Sequence, residues 1–205
     1  MLELDHVLSF VEPGGDWAER LERAGWTLDA GTTHPGQGTR NRRCRWGAGY
    51  LELVWVHDLA EASAHRLRLD RRARWHQSGA SPFGFVFRGR FPEPIASECW
   101  TYAPDPAFRF SVHRHCEERP EQPLLVCMQL DDDACHARGA MIAGHAGPAR
   151  TLTRAVLATA HPTPPGWAGL PLLLRTVTAA APHLTLVFGE GAGTTEVTDQ
   201  LRIEA

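Results

Sequence analysis

The order of elements predicted for the first 58 residues most restricts how this chain can fold. The segments, in the order strand, helix, strand, strand, strand, are Leu4–Val11, Trp17–Ala24, Trp26–Leu28, Asn41–Trp46 and Tyr50–Val56. Pro13 and the two following glycines end the first strand, Asp16 is placed to cap the helix, and Gly25 closes it. This β-α-β-β-β order predicts an α+β module with a mixed sheet.

The rest of the chain is predicted to complete a single domain over 1–205, since no long Pro/Gly-rich linker divides it. A polar, arginine-rich helical connector covers 59–80, and its charges are spread around the helix as on a solvated surface. The divergent second half, 81–205, is β-rich, with a short helix predicted within Trp167–Ala181. Strands are predicted at Phe83–Phe87, Glu98–Tyr102, Phe108–His115, Leu124–Leu130, Leu152–Ala160, Leu184–Phe188 and Glu196–Glu204.

A short internal echo suggests a duplicated module. Leu4–Leu8 can be aligned with Leu152–Val156, and Tyr50–Leu53 with Gln200–Ile203. A duplication of this kind implies paired β-α-β-β-β modules that form curved mixed sheets around a cavity.

Composition excludes several classes of protein. All 21 basic residues are arginine, which removes Schiff-base enzymes and phosphate loops that need a lysine amine. The net charge of −3 gives no general attraction to nucleic acid or acidic membranes. The five cysteines include no Cys-x-x-Cys pair and are interpreted as free thiols. No apolar run is long enough to span a bilayer, and the acidic opening is unlike a signal peptide, so a cytoplasmic protein is expected.

The first module resembles the glyoxalase-like domain branch of the vicinal oxygen chelate superfamily. The resemblance is carried by Leu4-Asp5-His6-Val7, by the loop His34–Asn41 and by Gly49–Leu53. It implies that paired modules enclose a cavity, that a small molecule binds there, and that a homodimer is possible. It also implies a divalent ion such as Zn, Mn, Fe or Ni, held by His6 and Glu52, with Glu52 as the group that moves a proton.

The metal site implied by this resemblance is incomplete. A catalytic metal normally has at least three protein ligands, and the echo places Arg154 and Arg202 at the partner positions. The third ligand stays open among His145, His115 and Gln129. Arginines at these positions favour instead an anionic group of the substrate, so Arg154 is a candidate substrate-binding residue.

Other candidates each have a structural interpretation as well. His34, Thr39 and Asn41 could bind substrate at the cavity mouth, or serve only to shape the loop. His113 and His115 share a strand face, as in some metal sites, but nothing completes such a site. The run Asp131–Asp133 lacks the glycine and glutamate of a calcium loop and is interpreted as a solvated turn.

Two functions therefore follow from the sequence. The first is a glyoxalase-like enzyme of the lyase, isomerase or dioxygenase type that acts on neighbouring oxygens of a small substrate, through His6, Glu52 and a metal ion. The alternative is a metal-free protein of the same fold that binds or sequesters a small aromatic or anionic molecule. Tryptophans such as Trp46 and Trp55 would then supply stacking surfaces.

Overall fold

A computed structural model describes residues 1–105, 108–144, 150–162, 167, 170–171, 174–191 and 193–205. The strands are β1 Leu2–Phe10, β2 Thr32–His34, β3 Thr39–Trp46, β4 Gly49–Val56, β5 Phe83–Gly89, β6 Cys99–Asp105, β7 Phe108–His113, β8 Leu124–Gln129, β9 Leu152–Thr159, β10 Leu174–Thr178, β11 His183–Phe188, β12 Thr194–Thr198 and β13 Leu201–Glu204. The α-helices are α1 Trp17–Arg23, α2 Leu59–Ala64, α3 Leu69–Ala73, α4 Trp75–Ser78, α5 His115–Glu118 and α6 Asp132–Ala143.

The larger sheet has eight strands in the order β2-β3-β4-β1-β5-β8-β7-β6. β1 is parallel to β4 and β5 is parallel to β8, whereas β1 and β5 pair antiparallel at the centre. The order β2-β3-β4-β1 therefore repeats as β6-β7-β8-β5. This confirms the α+β architecture of paired modules that form curved mixed sheets around a cavity.

The second copy of the strand order lies at 83–129, immediately after the connector, and not at the residues of the short sequence echo. β9 pairs with β10 and β11, and β13 pairs with β11 and β12. These strands form a separate five-stranded sheet in the order β10-β9-β11-β13-β12. The two strands of the echo are therefore not arranged alike: β1 and β4 are neighbours, whereas β9 and β13 are separated by β11.

The two faces of the larger sheet have different surroundings because side chains alternate along a strand. On β4, Tyr50, Glu52 and Val54 line a cavity. Leu51 and Leu53 point the other way and are fully buried in the hydrophobic core. This core is continuous with the second sheet, whose Phe188 packs edge-on against Trp26 and Trp46.

The sequence misplaced several elements. Residues 26–28 form only an isolated bridge from Leu28 to Cys44. The second strand lies instead at Thr32–His34, inside the predicted loop, because a turn with Gly36 and Gly38 at positive φ folds it back onto β3. Residues 131–133 are not a free turn, since the Asp131 side chain caps α6.

The short helix predicted at the apolar run 170–174, within Trp167–Ala181, lies largely outside the described residues; the part of the segment that follows, Leu174–Thr178, is a strand parallel to β9. The arginine-rich connector is three short helices, and one of its arginines, Arg72, is buried. Among the described residues, no helix has the length and apolar character needed to cross a membrane.

Candidate functional site

A cavity of about 350 Å³ lies against the larger sheet, and its two halves differ in character. β5, β7 and β8 contribute only apolar side chains to it: Val86, Phe108, Phe110, Val112, Leu124, Val126 and Met128. The polar side chains come mainly from β1 to β4 and their connections: His6, Thr32, His34, Gln37, Thr39, Asn41, Arg43, Tyr50 and Glu52. The cavity therefore has one polar end and a long apolar wall.

His6 and Glu52 meet at the polar end because β1 and β4 are parallel neighbours. His6 Nε2 lies 3.2 Å from Glu52 Oε2, and His6 Nδ1 lies 2.7 Å from Asp5 Oδ1. Consecutive residues of a strand normally point to opposite faces. Here the pairing of β1 with β5 shifts between Leu4 and His6, and this bulge allows the Asp5 carboxylate to reach the His6 ring.

Asn41 fixes the proton positions around Glu52. Its Oδ1 accepts a hydrogen bond from the backbone N–H of Thr32 at 2.7 Å, so its Nδ2 must be the group that faces Glu52 Oε1. The same amide nitrogen lies 3.3 Å from His34 Nε2, which therefore accepts. His34 Nδ1 then donates to Thr39 Oγ1 at 3.0 Å, and the ring is a neutral tautomer.

The loop that carries His34 is held from outside the cavity. Glu61 of α2 accepts hydrogen bonds from the backbone N–H groups of Gly36 and Gly38, at 3.1 and 2.9 Å. At the tip of the same loop, Gln37 donates to the Tyr102 hydroxyl of β6 at 3.2 Å. Because β2 and β6 are the two edges of the eight-stranded sheet, this bond joins the edges across the cavity.

Asp5 links the site to two arginines. Arg138 of α6 donates to both of its oxygens, at 2.5 and 2.8 Å, and also to the Tyr50 hydroxyl at 3.3 Å. Arg88 of β5 lies 3.5 Å from Asp5. The Tyr50 ring stacks on His6, with centroids 4.4 Å apart. Arg138, Asp5, His6 and Glu52 thus form, in this order, a row of alternating basic and acidic side chains.

The pKa values of the site follow from burial and from these contacts. Burial alone acts to lower the pKa of His6, but hydrogen bonds to Asp5 and Glu52 outweigh it and raise the pKa. Burial acts to raise the pKa of Glu52, but the bond and charge of His6 bring it down to about 2. Burial lowers the pKa of His34, so its ring is neutral at pH 7. The two carboxylates that face the ring nitrogens of His6 thus favour its imidazolium form.

The residues at this site do not fit the divalent metal that the sequence implied. His6 Nδ1 bonds to Asp5, so His6 could bind an ion only through Nε2, beside Glu52, and these two residues supply two of the three ligands that a catalytic metal normally has. The strands of the second module that face His6 and Glu52 offer only apolar side chains. Among the described residues, no group of three or more His, Cys, Asp or Glu is arranged to hold a metal ion.

The structure brings five of the predicted site residues to one cavity: His6, His34, Thr39, Asn41 and Glu52. Arg154 is not among the described residues that line it; it is exposed on β9 of the second sheet. Arg202 is on β13 and pairs with Glu196. The second sheet therefore supplies neither of the predicted counter-charges.

The three candidates for a third metal ligand are either outside the cavity or outside the described residues. His115 is buried and bonds to His113 and to the Pro123 carbonyl. Gln129 is exposed and bonds to Ser111. His145 lies outside the described residues. Neither His115 nor Gln129 is part of the cavity lining.

Three residues of the site were missed by sequence reasoning. Asp5 and Tyr50 stand inside the segments that carry the resemblance, beside His6 and Glu52, so their positions were available as a signal. No such signal was available for Arg138, because this residue belongs to α6, a helix that the sequence did not predict.

Comparisons with known proteins agree with this architecture. Residues 4–98 match the family model of the glyoxalase-like domain. A hypothetical protein from Staphylococcus aureus has the same fold, with a TM-score of 0.58 at 11% identity over 100% of this chain and 99% of that chain. No curated protein matches the chain significantly.

Weaker similarity extends to two shorter structures. A hypothetical protein from Bacillus halodurans C-125 gives a TM-score of 0.43 at 12% identity, over 64% of this chain and 96% of that chain. Methylmalonyl-CoA epimerase from Mycobacterium tuberculosis gives 0.42 at 12% identity, over 65% and 91%.

The curled sheet of paired modules around a cavity defines an α+β protein whose fold resembles that of the vicinal oxygen chelate proteins. Residues 4–98, which include most of β1, all of β2 to β5 and the polar end of the cavity, are the part of the chain that matches the glyoxalase-like domain model.

Proposed function

We propose that this chain binds a small, largely apolar molecule in the cavity, without a metal ion, and orients it at the polar end through Glu52. The observation that carries the proposal is the division of the cavity wall between an apolar half and a preorganised polar end. Concave sites of this size with a few convergent polar groups are typical of small-molecule binding.

Each part of the site has a separate task in this proposal. Removal of the ligand's apolar surface from water at Val86, Val126 and their neighbours supplies affinity. Glu52 supplies orientation, because His6 and Asn41 hold its carboxylate in one position. The bonds that fix these groups exist before the ligand arrives, so binding orders few side chains.

A fluorescent probe tests the proposal. N-phenyl-1-naphthylamine, which is neutral and bright only in apolar surroundings, should bind the wild-type chain and lose binding in Val126→Trp, where the new ring fills the apolar wall. The control is Thr176→Trp, which introduces the same ring at an exposed position of β10. Binding that persists in a folded Val126→Trp variant would place the ligand site elsewhere.

A second candidate function is proton transfer on the bound molecule, the enzyme interpretation of the same fold. It is favoured by the ionised Glu52 carboxylate, which is held at the cavity wall by a positively charged His6. Candidate ligands with an acidic C–H bond next to a carbonyl would be incubated with the protein in D2O. Deuterium uptake at that carbon, lost in Glu52→Gln, supports the enzyme; bound ligand without exchange supports a binding protein.

Metal content tests the remaining alternative. Untagged protein, alone and after reconstitution with Zn, Mn, Fe or Ni, is expected to retain far less than one equivalent of metal by mass spectrometry, because no group of three or more His, Cys, Asp or Glu among the described residues is arranged to hold an ion. Suppose instead that the wild-type protein retained about one equivalent of metal, and that His6→Ala and Glu52→Ala stayed folded but lost it. The chelate mechanism would then be correct.

A further inference from the structure

The charges at the polar end restrict which ligands the cavity accepts. Two arginines line it, and each is already paired with a carboxylate. Arg43 Nε lies 2.6 Å from Asp29 Oδ2, and Arg138 grips Asp5 with two hydrogen bonds. The His6 ring is likewise held between Asp5 and Glu52. An anionic ligand would therefore meet arginines whose charge is already offset by carboxylates that belong to the protein.

Glu52, in contrast, retains capacity to accept hydrogen bonds. A carboxylate offers about four acceptor positions, of which Asn41 and His6 occupy one each. The nearest other acceptor, His34 Nε2, is satisfied by Asn41. The charged group at the polar end with unused hydrogen-bonding capacity is thus Glu52, an acceptor, and its natural complement is an O–H or N–H group.

From this geometry we infer that the ligand is a neutral molecule with an apolar body and a single hydroxyl or N–H group, which donates to Glu52. Carboxylates and phosphates are rejected, since their charge would be placed beside Glu52 in a partly desolvated site. The inference rests on the proposed binding function and reverses the expectation that an arginine would recognise an anion.

Three molecules with the same ring system separate the alternatives. They are 2-naphthol, which donates; 2-methoxynaphthalene, which cannot donate; and 2-naphthoate, which is an anion. Each would compete with bound N-phenyl-1-naphthylamine at about pH 7, where 2-naphthol is neutral. 2-Naphthol is expected to compete at least about tenfold better than its methyl ether, the factor typical of a hydrogen bond to a charged group. 2-Naphthoate should compete least.

Glu52→Gln should shrink the preference for 2-naphthol over its ether and improve competition by 2-naphthoate, because the charge is removed while the shape is kept. Glu196→Gln is the matched control: this exposed carboxylate belongs to β12 of the second sheet, so both ratios should stay as in the wild type. The wild-type comparison decides the question even where Glu52→Gln fails to fold.

The two proposals fail in different ways. Equal competition by 2-naphthol and its ether, or strongest competition by 2-naphthoate, overturns the inference and leaves the binding function standing. Absence of probe binding to the wild-type chain would overturn the binding function and the inference with it.

Discussion

At the scale of single residues, the site is built on charges that stabilise one another. Asp5 is fully buried, yet its carboxylate contacts His6, Arg138 and Arg88. These contacts outweigh the effect of burial and lower the pKa of Asp5 well below its ordinary value. A buried charge with this many partners holds the others in place, and its removal leaves them uncompensated.

Asp5→Asn keeps the shape of the side chain and removes its charge. We expect a loss of about 3–5 kcal/mol in the free energy of unfolding, the range seen when one partner of a buried pair is removed. Urea denaturation measures it. Asp16→Asn is the control, because Asp16 pairs with Arg20 on the surface and should cost less than about 1 kcal/mol. Equal losses in the two variants would contradict the alternating-charge network.

The same network predicts how stability depends on pH. Glu52 has a pKa lowered from 4.5 to about 2, so its contribution is present above about pH 4.5 and is lost as the pH falls toward 2. His6 has a pKa raised from 6.5, so its contribution is complete below that value and is lost as the pH rises through the higher pKa of the folded state. The network is therefore most stabilising between about pH 5 and 6.5.

Urea unfolding of wild type and Glu52→Gln over this range provides the measurement. The variant lacks the titrating carboxylate, so the difference in unfolding free energy between the two proteins should shrink as the pH falls from about 5 to 3. A difference that stays constant over that interval would show that Glu52 is not ionised against His6.

Five of the predicted site residues line the same cavity because they lie in one continuous module. β1 to β4 pair with one another, so a register within that module suffices to bring His6, Glu52 and the His34 loop together. Arg138 reaches the site from α6 instead. That helix has almost no apolar stripe, so its residues give no periodic signal.

At the scale of elements, the connector between the modules is held by a buried cation. Arg72 of α3 is almost fully buried and donates to the backbone carbonyls of Ser81, Gln122 and Cys116, at 2.9, 3.0 and 3.0 Å. It thereby joins α3 to α5 and to the segments that enter β5 and β8. The arginines of the connector are spread around the helix, which predicted that all of them face solvent. At Arg72 this prediction is wrong, because tertiary contacts bury the side chain.

Arg72→Met keeps a long side chain and removes all three hydrogen bonds. We expect a loss of about 2–4 kcal/mol of unfolding free energy, because buried carbonyls are left without partners. Chemical denaturation of Arg72→Met beside Arg71→Met, a neighbour on the same helix that is not fully buried, gives the comparison. If both variants lost the same small amount of unfolding free energy, the hydrogen bonds of Arg72 would contribute no more to stability than those of a surface arginine.

The positions of strands along the chain were easier to predict than the pairing of these strands in sheets. β4, β5 and β8 lie where the sequence predicted strands, because each is rich in apolar residues. Residues 83–129 join the larger sheet and residues 152–204 form the second one, and this division depends on contacts between strands that are distant in sequence. Apolar strands resemble one another in composition, so the short echo could not distinguish a true second module from a separate sheet.

At the scale of the whole molecule, the second sheet is part of the same core as the first. Phe188 of β11 packs edge-on against Trp26 and Trp46, at 5.1 and 5.2 Å between ring centroids. Gln200 donates to the Phe10 carbonyl at the end of β1, and α1 lies against β12. The family match ends at residue 98, yet the fold shared with the Staphylococcus aureus protein spans the chain.

Because Phe188 joins the sheets, its removal tests whether they fold as one unit. Phe188→Ala should cost about 3–5 kcal/mol by leaving a cavity between the two tryptophans. Tryptophan fluorescence and far-ultraviolet circular dichroism should still report one coincident unfolding transition. Phe108→Ala is the control, since Phe108 is 46% exposed and should cost less than about 1 kcal/mol. Two separate transitions, with fluorescence lost before the sheet signal, would mean that the larger sheet and its cavity are stable without the second sheet.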